Sequence, residues 1–481
     1  MAYIELRAEE YVSLSARKLG QMVADRRVSP VYLMELALTL ARAAESRINA
    51  YVSFLEPWAR KIASEREREA RDGHIRSALH GVPIAVKDNF YLAGFPLGRG
   101  SRTDPGYVPK ETAPMVERLL DAGSVIIGKT TTPEFGWKGT GISPLTGVTR
   151  NPWNKEKNSG GSSAGSAATV AAGAVAVSIG TDAGGSIRIP ASFCGIPGFK
   201  PTLSRIPVWP GTVTESLSHA GPFGRFVDDI SLTLALTEGP DSRDPLSFAA
   251  TEPSGGDARR ERLRHGTLKV GIILAPFGIS PGPAVARCVV DAMREITGKV
   301  RAQYSDAVIE APLPRDVFET FWVTGRGIGY GRLFAQHGAI MDPGLVRLGP
   351  LSATYSLEQY FEAINKRRTF NSAAFKLFDS IDLALMPTMP IVAFDATSEV
   401  PPGGEADAQL PWITWTPYTY PFNISGQPAL SLPCGVTSDG LPTGLQILGP
   451  WGSDELVLEF ARQVETVLAF RDRYPLPIVM D

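Results

Sequence analysis

Apolar and polar positions follow one rhythm at the start of the chain and another beyond it. Over the first seventy residues apolar side chains return every three or four positions, in "SARKLGQMVADRRVS", "PVYLMELALTLARAAESRI" and "EPWARKIASEREREARDG". That is the spacing of helices burying one face. Charges of alternating sign at helical spacing in the third stretch mark a solvated face. From residue 80 the pattern changes to short apolar runs separated by helices and glycine turns. "GVPIAVKDNF", "GSVIIGKT" and "GAVAVSIGTD" predict strands; "APMVERLLDA" and "SAGSAATVAAG" predict helices. Such alternation predicts an α/β fold, a three-layer α/β/α sandwich whose large mixed, mostly parallel central sheet is covered by helices on both faces.

Further along, residues 250–266 read as a polar loop. "KVGIILAPF" and "DAVIEAPLP" predict two strands flanking the helix "PAVARCVVDAMREIT". "FDSIDLALMPTMP" predicts a buried strand, "EVPPGGEADAQLPW" a surface loop, and "PALSLPCGVTSDGLPTGLQILGP" a hairpin turning at Ser438-Asp439-Gly440. No repeat or clean linker divides the chain.

Composition narrows the function. The 481 residues are 43% hydrophobic and 20% charged, enough to bury a sizeable core. A net charge of −2 argues against nucleic acid or an anionic membrane as partner. The longest small-apolar run, "AATVAAGAVAVSIG", falls short of the roughly eighteen residues that span a bilayer. "MAYIELRAEEYVSL" has no apolar signal region. Cys194, Cys288 and Cys434 cannot all pair, and His74, His80, His219, His265 and His337 show no metal-ligand spacing. A cytoplasmic protein without metal or cofactor is expected.

The stretch "GSVIIGKT", Gly123 to Thr130, matches the phosphate-loop pattern G-x-x-x-x-G-K-[ST]. Its surroundings are wrong: a helix precedes it, the β-branched strand lies between the two glycines, and "TTPEF" is a poor helix start. A helix–turn–strand is expected there, with no nucleotide site.

Three polar features interrupt apolar segments. Lys87 closes the strand "GVPIAVK", where an ammonium is seldom buried without a partner. A snorkelling lysine at a strand end is the plain alternative. Ser159, Ser162 and Ser163 precede a small-residue helix, where N-capping is the plain alternative. Gly161 to Gly165 also spells G-x-S-x-G, but the polar segment before it and the lack of a late histidine argue against a nucleophile elbow. Third, "GTDAGGS" follows a strand with a glycine-rich loop. The N–H groups of Ala183, Gly184, Gly185 and Ser186 can converge there as an anion-binding nest. A hydroxyl nucleophile needs a base, and a neutral lysine can serve. Neutrality at pH 7 disfavours the ammonium by about 4–5 kcal/mol, in the direction burial pushes.

These residues resemble the amidase signature family, hydrolases that cleave amides with a Ser–cis-Ser–Lys triad. The resemblance runs through "GVPIAVKDNF", "GKTTTPEF", "GVTRNPWN", "GGSSAGSAA", "GTDAGGSIRIPASFCGIPGFKPT", "NISGQPALSLPCG" and "GLPTGLQILGP". Lys87 and Ser162 lie 75 residues apart, and Ser162 and Ser186 lie 24 apart, as that family's arrangement requires. The resemblance implies a single domain over residues 1–481. A helical segment spans 1–72, the signature core 73–235, a variable region 236–380 and the rest of the core sheet 381–481. It implies Ser186 as nucleophile, Ser162 as relay after a cis peptide, Lys87 as base, Ala183 to Ser186 as oxyanion hole, and Asp182 with Arg188 as structural support. Lys129 carries no catalytic duty. Gly136 and Trp137 fall where the family lines its acyl pocket, with plain core packing the alternative for Trp137.

The partner expected is a small-molecule amide, and the family often dimerises through its N-terminal helices. Trp412, Trp415, Tyr418 and Tyr420 are expected to border the entrance and to favour an apolar or aryl amide, a carbamate or an ester. The alternative is the glutaminase subunit of a tRNA-dependent amidotransferase. That branch usually continues after "GFKPT" in the style "YGRVSRYG", whereas this chain reads "LSRIPVWPGTVTESLSHAGPFGR".

Overall fold

The computed structural model describes residues 3–104, 106–249 and 255–473. An 11-stranded sheet organises them. Its strands are β1 (Tyr51–Phe54), β2 (Pro83–Lys87), β3 (Val125–Thr130), β4 (Val177–Asp182), β5 (Gly198–Lys200), β6 (His219–Gly224), β7 (Lys269–Ile272), β8 (Gln303–Asp306), β9 (Leu383–Pro387), β10 (Ala429–Val436) and β11 (Pro442–Leu448). Across the sheet the order is β1-β3-β2-β4-β6-β5-β10-β11-β9-β7-β8.

The sheet is mixed. Parallel pairing is confined to two wings, β3-β2-β4 and β9-β7-β8. The centre from β4 to β9 and the β1 edge are antiparallel. The mostly parallel balance expected from strand–helix alternation therefore holds only in the wings. Parallel neighbours need a long crossover, whereas β10 and β11 join through a short hairpin, with Gly440 at φ +75° where a turn was expected. Every residue of β2 and β3 is buried, which is why they read as continuous apolar runs. Helices Pro30–Ile48 and Glu56–Arg71 pack near β3, Ala164–Ala171 on β2 and β4, and Pro283–Lys299 and Asp454–Leu468 on β10 and β11.

Other segments depart from expectation. The stretch expected as a loop at 250–266 holds the helix Gly256–His265; only Gly256 and Leu263 are buried, too few to show a period. Residues 250–254 lie outside the described residues. The strand expected in "DAVIEAPLP" ends at Asp306, because polar Gln303–Asp306 pairs with β7 at the sheet edge. Ile309 beyond it buries among Ile273, Phe378 and Ile381 without forming a strand. Between the N-terminal helices lies β1, which helical periodicity had hidden. Among the described residues no helix is long and apolar enough to cross a membrane.

The phosphate-loop lookalike is helix, turn and strand: Pro114–Asp121, Gly123 at φ +92°, then β3. Lys129 is buried, forms an ion pair with buried Asp88 at 2.9 Å and donates to the Phe90 carbonyl at 3.1 Å. Asp88→Asn leaves that ammonium without a counter-charge, a loss of about 3–5 kcal/mol. A thermal midpoint matching the wild type would show that the pair does not hold the wing together.

Candidate active site

β2 delivers Lys87 into the interior, where it is fully buried. Its Nζ donates to Ser162 Oγ at 2.8 Å, Ser163 Oγ at 3.0 Å and Thr181 Oγ1 at 3.0 Å. Three hydroxyls, with no carboxylate in contact, replace its water. Burial drives its pKa well below the ordinary lysine value; the Asp182 charge opposes that shift and Arg326 adds to it. Lys87 is therefore no snorkelling side chain.

Ser162 and Ser163 lead into the helix Ala164–Ala171, and the Gly161–Ser162 peptide is cis. Ser163 stands at the N-cap position, yet its side chain makes no cap bond. It accepts from Lys87, donates to the Thr181 carbonyl at 3.1 Å and accepts the Thr181 N–H at 3.2 Å. These hydroxyls are turned away from capping and toward the lysine. The G-x-S-x-G elbow is excluded as well: the preceding strand, Asn154–Asn158, pairs in a separate ribbon off the main sheet.

The third feature lies just past β4. Asp182 and Arg188 are both fully buried and joined twice, through Nε at 3.0 Å and Nη2 at 3.1 Å. Burial alone would raise the Asp182 pKa; the Arg188 charge and hydrogen bonds, with Lys200 and Asn423, hold it below the carboxylate range. The carboxylate also accepts the N–H of Gly185 at 2.7 Å and of Ile187 at 3.1 Å. Gly185 therefore leaves the expected nest, because its donor points inward to a charged acceptor. Among the described residues, the N–H groups of Ala183, Gly184 and Ser186 have no hydrogen-bond partner. Behind the loop, Asn423 donates to the Asp182 carbonyl at 3.0 Å, and Arg188 reaches Asn423 at 2.7 Å and Gln446 at 3.0 Å. His219 Nδ1 lies 3.1 Å from the Asp182 carbonyl, and Lys200 Nζ lies 3.3 Å from His219 Nε2. Sequence reasoning passed over Lys200, His219, Asn423 and Gln446. Their signal was a polar residue inside "GFKPT", "SHAGPFG", "PFNIS" and "GLQIL".

Ser186 is 5% exposed and its carbonyl accepts the N–H of Ser163 at 3.1 Å, which ties the two serine loops together. Among the described residues its hydroxyl makes no hydrogen bond. The Lys87–Ser162 half of the expected relay is formed, and the Ser162–Ser186 link is not.

Gly136, at φ +64°, faces the pair: a Cβ there would lie 3.1 Å from Ser162 Oγ and 3.9 Å from Lys87 Nζ. Trp137 is buried against Gly344 and, with Trp412, Met341 and Pro343, lines a cavity of ≈ 550 Å³. In that cavity Lys138 is held between Asp342 and Glu399, at 2.6 and 2.5 Å. Trp412 and Phe318 lie over the Ala183–Ser186 loop, 2.7 and 2.8 Å from where a Cβ on Gly184 would stand. Tyr420 packs on Phe318 at 4.8 Å. Trp415 stacks on Phe193, and Tyr418 donates to the Ile279 carbonyl at 2.6 Å. All four aromatics of 412–420 are buried, so none forms an open entrance, and Trp415 and Tyr418 belong to the core.

The sequence profile of the family described as Amidase matches residues 33–312 and 336–458. The chain is 34% identical over 483 residues to a glutamyl-tRNA(Gln) amidotransferase subunit from Synechococcus sp. (strain CC9605), covering 92% of this chain and 94% of that one. To the protein of the same name from Symbiobacterium thermophilum it is 33% identical over 497 residues, covering 96% and 98%. Among solved structures, a bacterial aryl acylamidase of the amidase signature family superposes with a TM-score of 0.86 at 27% identity, covering 97% of this chain and 99% of that one. A 6-aminohexanoate cyclic dimer hydrolase, solved with its substrate, gives 0.85 at 27% identity and the same coverage.

Proposed function

The chain belongs to the amidase signature family of amide C–N hydrolases, and from that premise we propose that it cleaves an apolar or aryl amide through an acyl-enzyme on Ser186. The observation that carries the chemistry is Lys87, buried, bonded only to hydroxyls and 2.8 Å from Ser162. An unprotonated Nζ accepts the Ser162 proton as Ser162 takes that of Ser186, and the Ser186 oxygen attacks the carbonyl carbon. The free N–H groups of Ala183, Gly184 and Ser186 receive the oxyanion, each about 3–4 kcal/mol if lost. Ser162 then hands its proton to the leaving nitrogen, the C–N bond breaks, and water releases the acid. The relay closes when substrate draws the Ser186 hydroxyl toward Ser162, since catalytic hydrogen bonds tighten in the loaded enzyme. No residue of this scheme calls for a metal or cofactor.

The substrate side rests on Trp137 and Trp412, which line the cavity with Phe318 and Tyr420 packed behind Trp412, a surface suited to an apolar acyl or aryl group. The same acyl-enzyme would serve esters and carbamates. A second reading, a glutaminase subunit of a tRNA-dependent amidotransferase, is favoured by the curated relatives, which bear that name at 34 and 33% identity over nearly the whole chain. Against it stands the ammonium of the headgroup such a site must hold: the carboxylates beside Trp137, Asp342 and Glu399, already accept from Lys138, Thr140 and the Gly344 N–H.

A panel of anilides, fatty amides, simple aliphatic amides, carbamates, esters and L-glutamine tests both. An apolar amide is expected to exceed glutamine by at least about 100-fold in kcat/KM, given what a buried polar headgroup loses without partners. Glutamine as the better substrate, alone or with copurified partner subunits, replaces this reading with the second.

A further inference from the structure

Arg326 lies in the helix Arg315–Gly329, outside every motif of the signature core. It is 5% exposed and, among the described residues, forms no ion pair with a carboxylate. Its Nη1 donates to the Phe135 carbonyl at 3.0 Å and its Nη2 approaches the Gly136 carbonyl at 3.5 Å. Its guanidinium lies 4.0 Å from the centre of the Trp322 ring, and its Nε has no acceptor. A buried guanidinium ordinarily has a counter-ion. The nearest carboxylate in sequence to the turn it grips, Glu134, spends its oxygens on Ser101 and the Asp342 N–H, each at 2.6 Å.

The helix is built to bring this charge inward. "TGRGIG" places glycines on both sides of Arg326, although helix-interior glycine costs about 1 kcal/mol relative to alanine. Both are needed sterically: a Cβ on Gly325 would come within 2.4 Å of the Val213 carbonyl oxygen, and one on Gly327 within 2.3 Å of that of Leu348. Backbone therefore seats on each flank, while the side chain between them reaches the turn whose Gly136 lies against Ser162 and Lys87.

We propose that Arg326 is a positioning residue that acts through Lys87: held by the Phe135 and Gly136 carbonyls beside the Lys87–Ser162 pair, its uncompensated charge disfavours a second cation there. This rests on Lys87 being the base. The other groups facing Lys87 do not supply that bias. Asp88, next along the chain, is taken by Lys129, and Asp182 on β4 opposes the bias but is paired with Arg188. Ser162, Ser163 and Thr181 are neutral hydroxyls, and Asn89, 2.8 Å from Thr181, is neutral too. The loss of Lys87 basicity on burial agrees in sign with a contribution from Arg326.

The test measures the rate constant of covalent inactivation by a fluorophosphonate against pH, a readout independent of which amide is the substrate. Wild type, Arg326→Met, Arg326→Gln, Arg326→Lys and Lys87→Ala are compared, with near-UV circular dichroism checking packing. Removing a like charge raises the pKa of the base, so the acidic limb in the Met and Gln variants is expected to move up by about one pH unit, with the high-pH plateau within about threefold of wild type. Arg326→Lys, which keeps the charge, is expected to hold the limb within about 0.3 unit. An unmoved limb in a folded neutral variant, or a loss uniform in pH, overturns the proposal. If neither neutral variant folds, a displaced limb in the Lys variant overturns it and an undisplaced one supports it. Should Lys87→Ala inactivate at the wild-type rate with the same limb, it is the base assignment that falls. If Lys87→Ala is inert while the neutral Arg326 variants keep the limb, only the role of Arg326 falls.

Discussion

Ser186→Ala is expected to lower amide hydrolysis on the order of 10⁴–10⁶-fold and to abolish covalent labelling by a fluorophosphonate or sulfonyl fluoride, with the fold unchanged. The outcome is a real choice between two hydroxyls. Ser162 is the one bonded to Lys87, at 2.8 Å, so proximity to the base alone would make Ser162 the nucleophile. The proposed oxyanion site favours Ser186 instead. The charge that appears on attack must meet donors already aimed at it, and the unspent N–H groups of Ala183, Gly184 and Ser186 belong to the Ser186 loop. Ser162 already takes part in the lysine network and is 2% exposed. Because the Ser186 hydroxyl makes no hydrogen bond among the described residues, deleting it leaves no buried partner orphaned and the thermal midpoint should stay near wild type. Intact-mass analysis and peptide mapping check the result. An adduct on Ser162 in the wild type, or labelling that survives in Ser186→Ala, removes Ser186 from the role.

What the sequence made legible follows from where burial leaves a period. β2, β3 and β4 announced themselves as apolar runs, and the hairpin of β10 and β11 by its Ser-Asp-Gly turn, because both signals are local. The balance of parallel and antiparallel pairing was not local. It depends on which strands become neighbours, and β6 lies between β4 and β5 although it follows both in the chain. The helix Gly256–His265 escaped because a charged helix with one large buried side chain carries almost no hydrophobic period.

The site divides the same way. Lys87, Ser162 and Ser186 stood out as polar residues against apolar surroundings, and the spacing of the resemblance tied them together. Gly185 could be counted as an oxyanion donor only while the direction of its N–H was unknown; the carboxylate of Asp182, three residues earlier, takes that donor. Trp412 lines the cavity beside Trp137 while Trp415, Tyr418 and Tyr420 pack inside the core, a difference their shared composition does not carry. Arg326 was invisible for a different reason: an arginine between glycines reads as a turn or an exposed charge, and nothing in "TGRGIG" says that the helix turns it inward.

Lys87→Met is expected to lower turnover by about 10²–10⁴-fold, the usual share of a positioned base, and to make the protein more stable than wild type. The second half follows from the same burial that makes the lysine useful. Its pKa in the folded chain is depressed, first by burial, so between that value and the unfolded value near 10.4 the unfolded chain binds more protons. Stability in the wild type therefore rises with pH through that window, and the penalty for holding Lys87 is full below the folded pKa and gone above the unfolded one. Methionine fills a similar volume and carries no such penalty. Its cost is the set of hydroxyls it strands, but Ser163 keeps its bonds to Thr181, and Thr181 keeps that of Asn89. The stability gap between Lys87→Met and wild type should thus be widest in acid and close as pH rises toward 10. Denaturant unfolding across pH 6 to 10 checks the slope, alongside turnover of the best amide from the panel. A variant that is inactive and also less stable, by the same amount at every pH, would mean that Lys87 is a structural cation like Lys129, and that the hydroxyl cluster holds it for the fold rather than for the reaction.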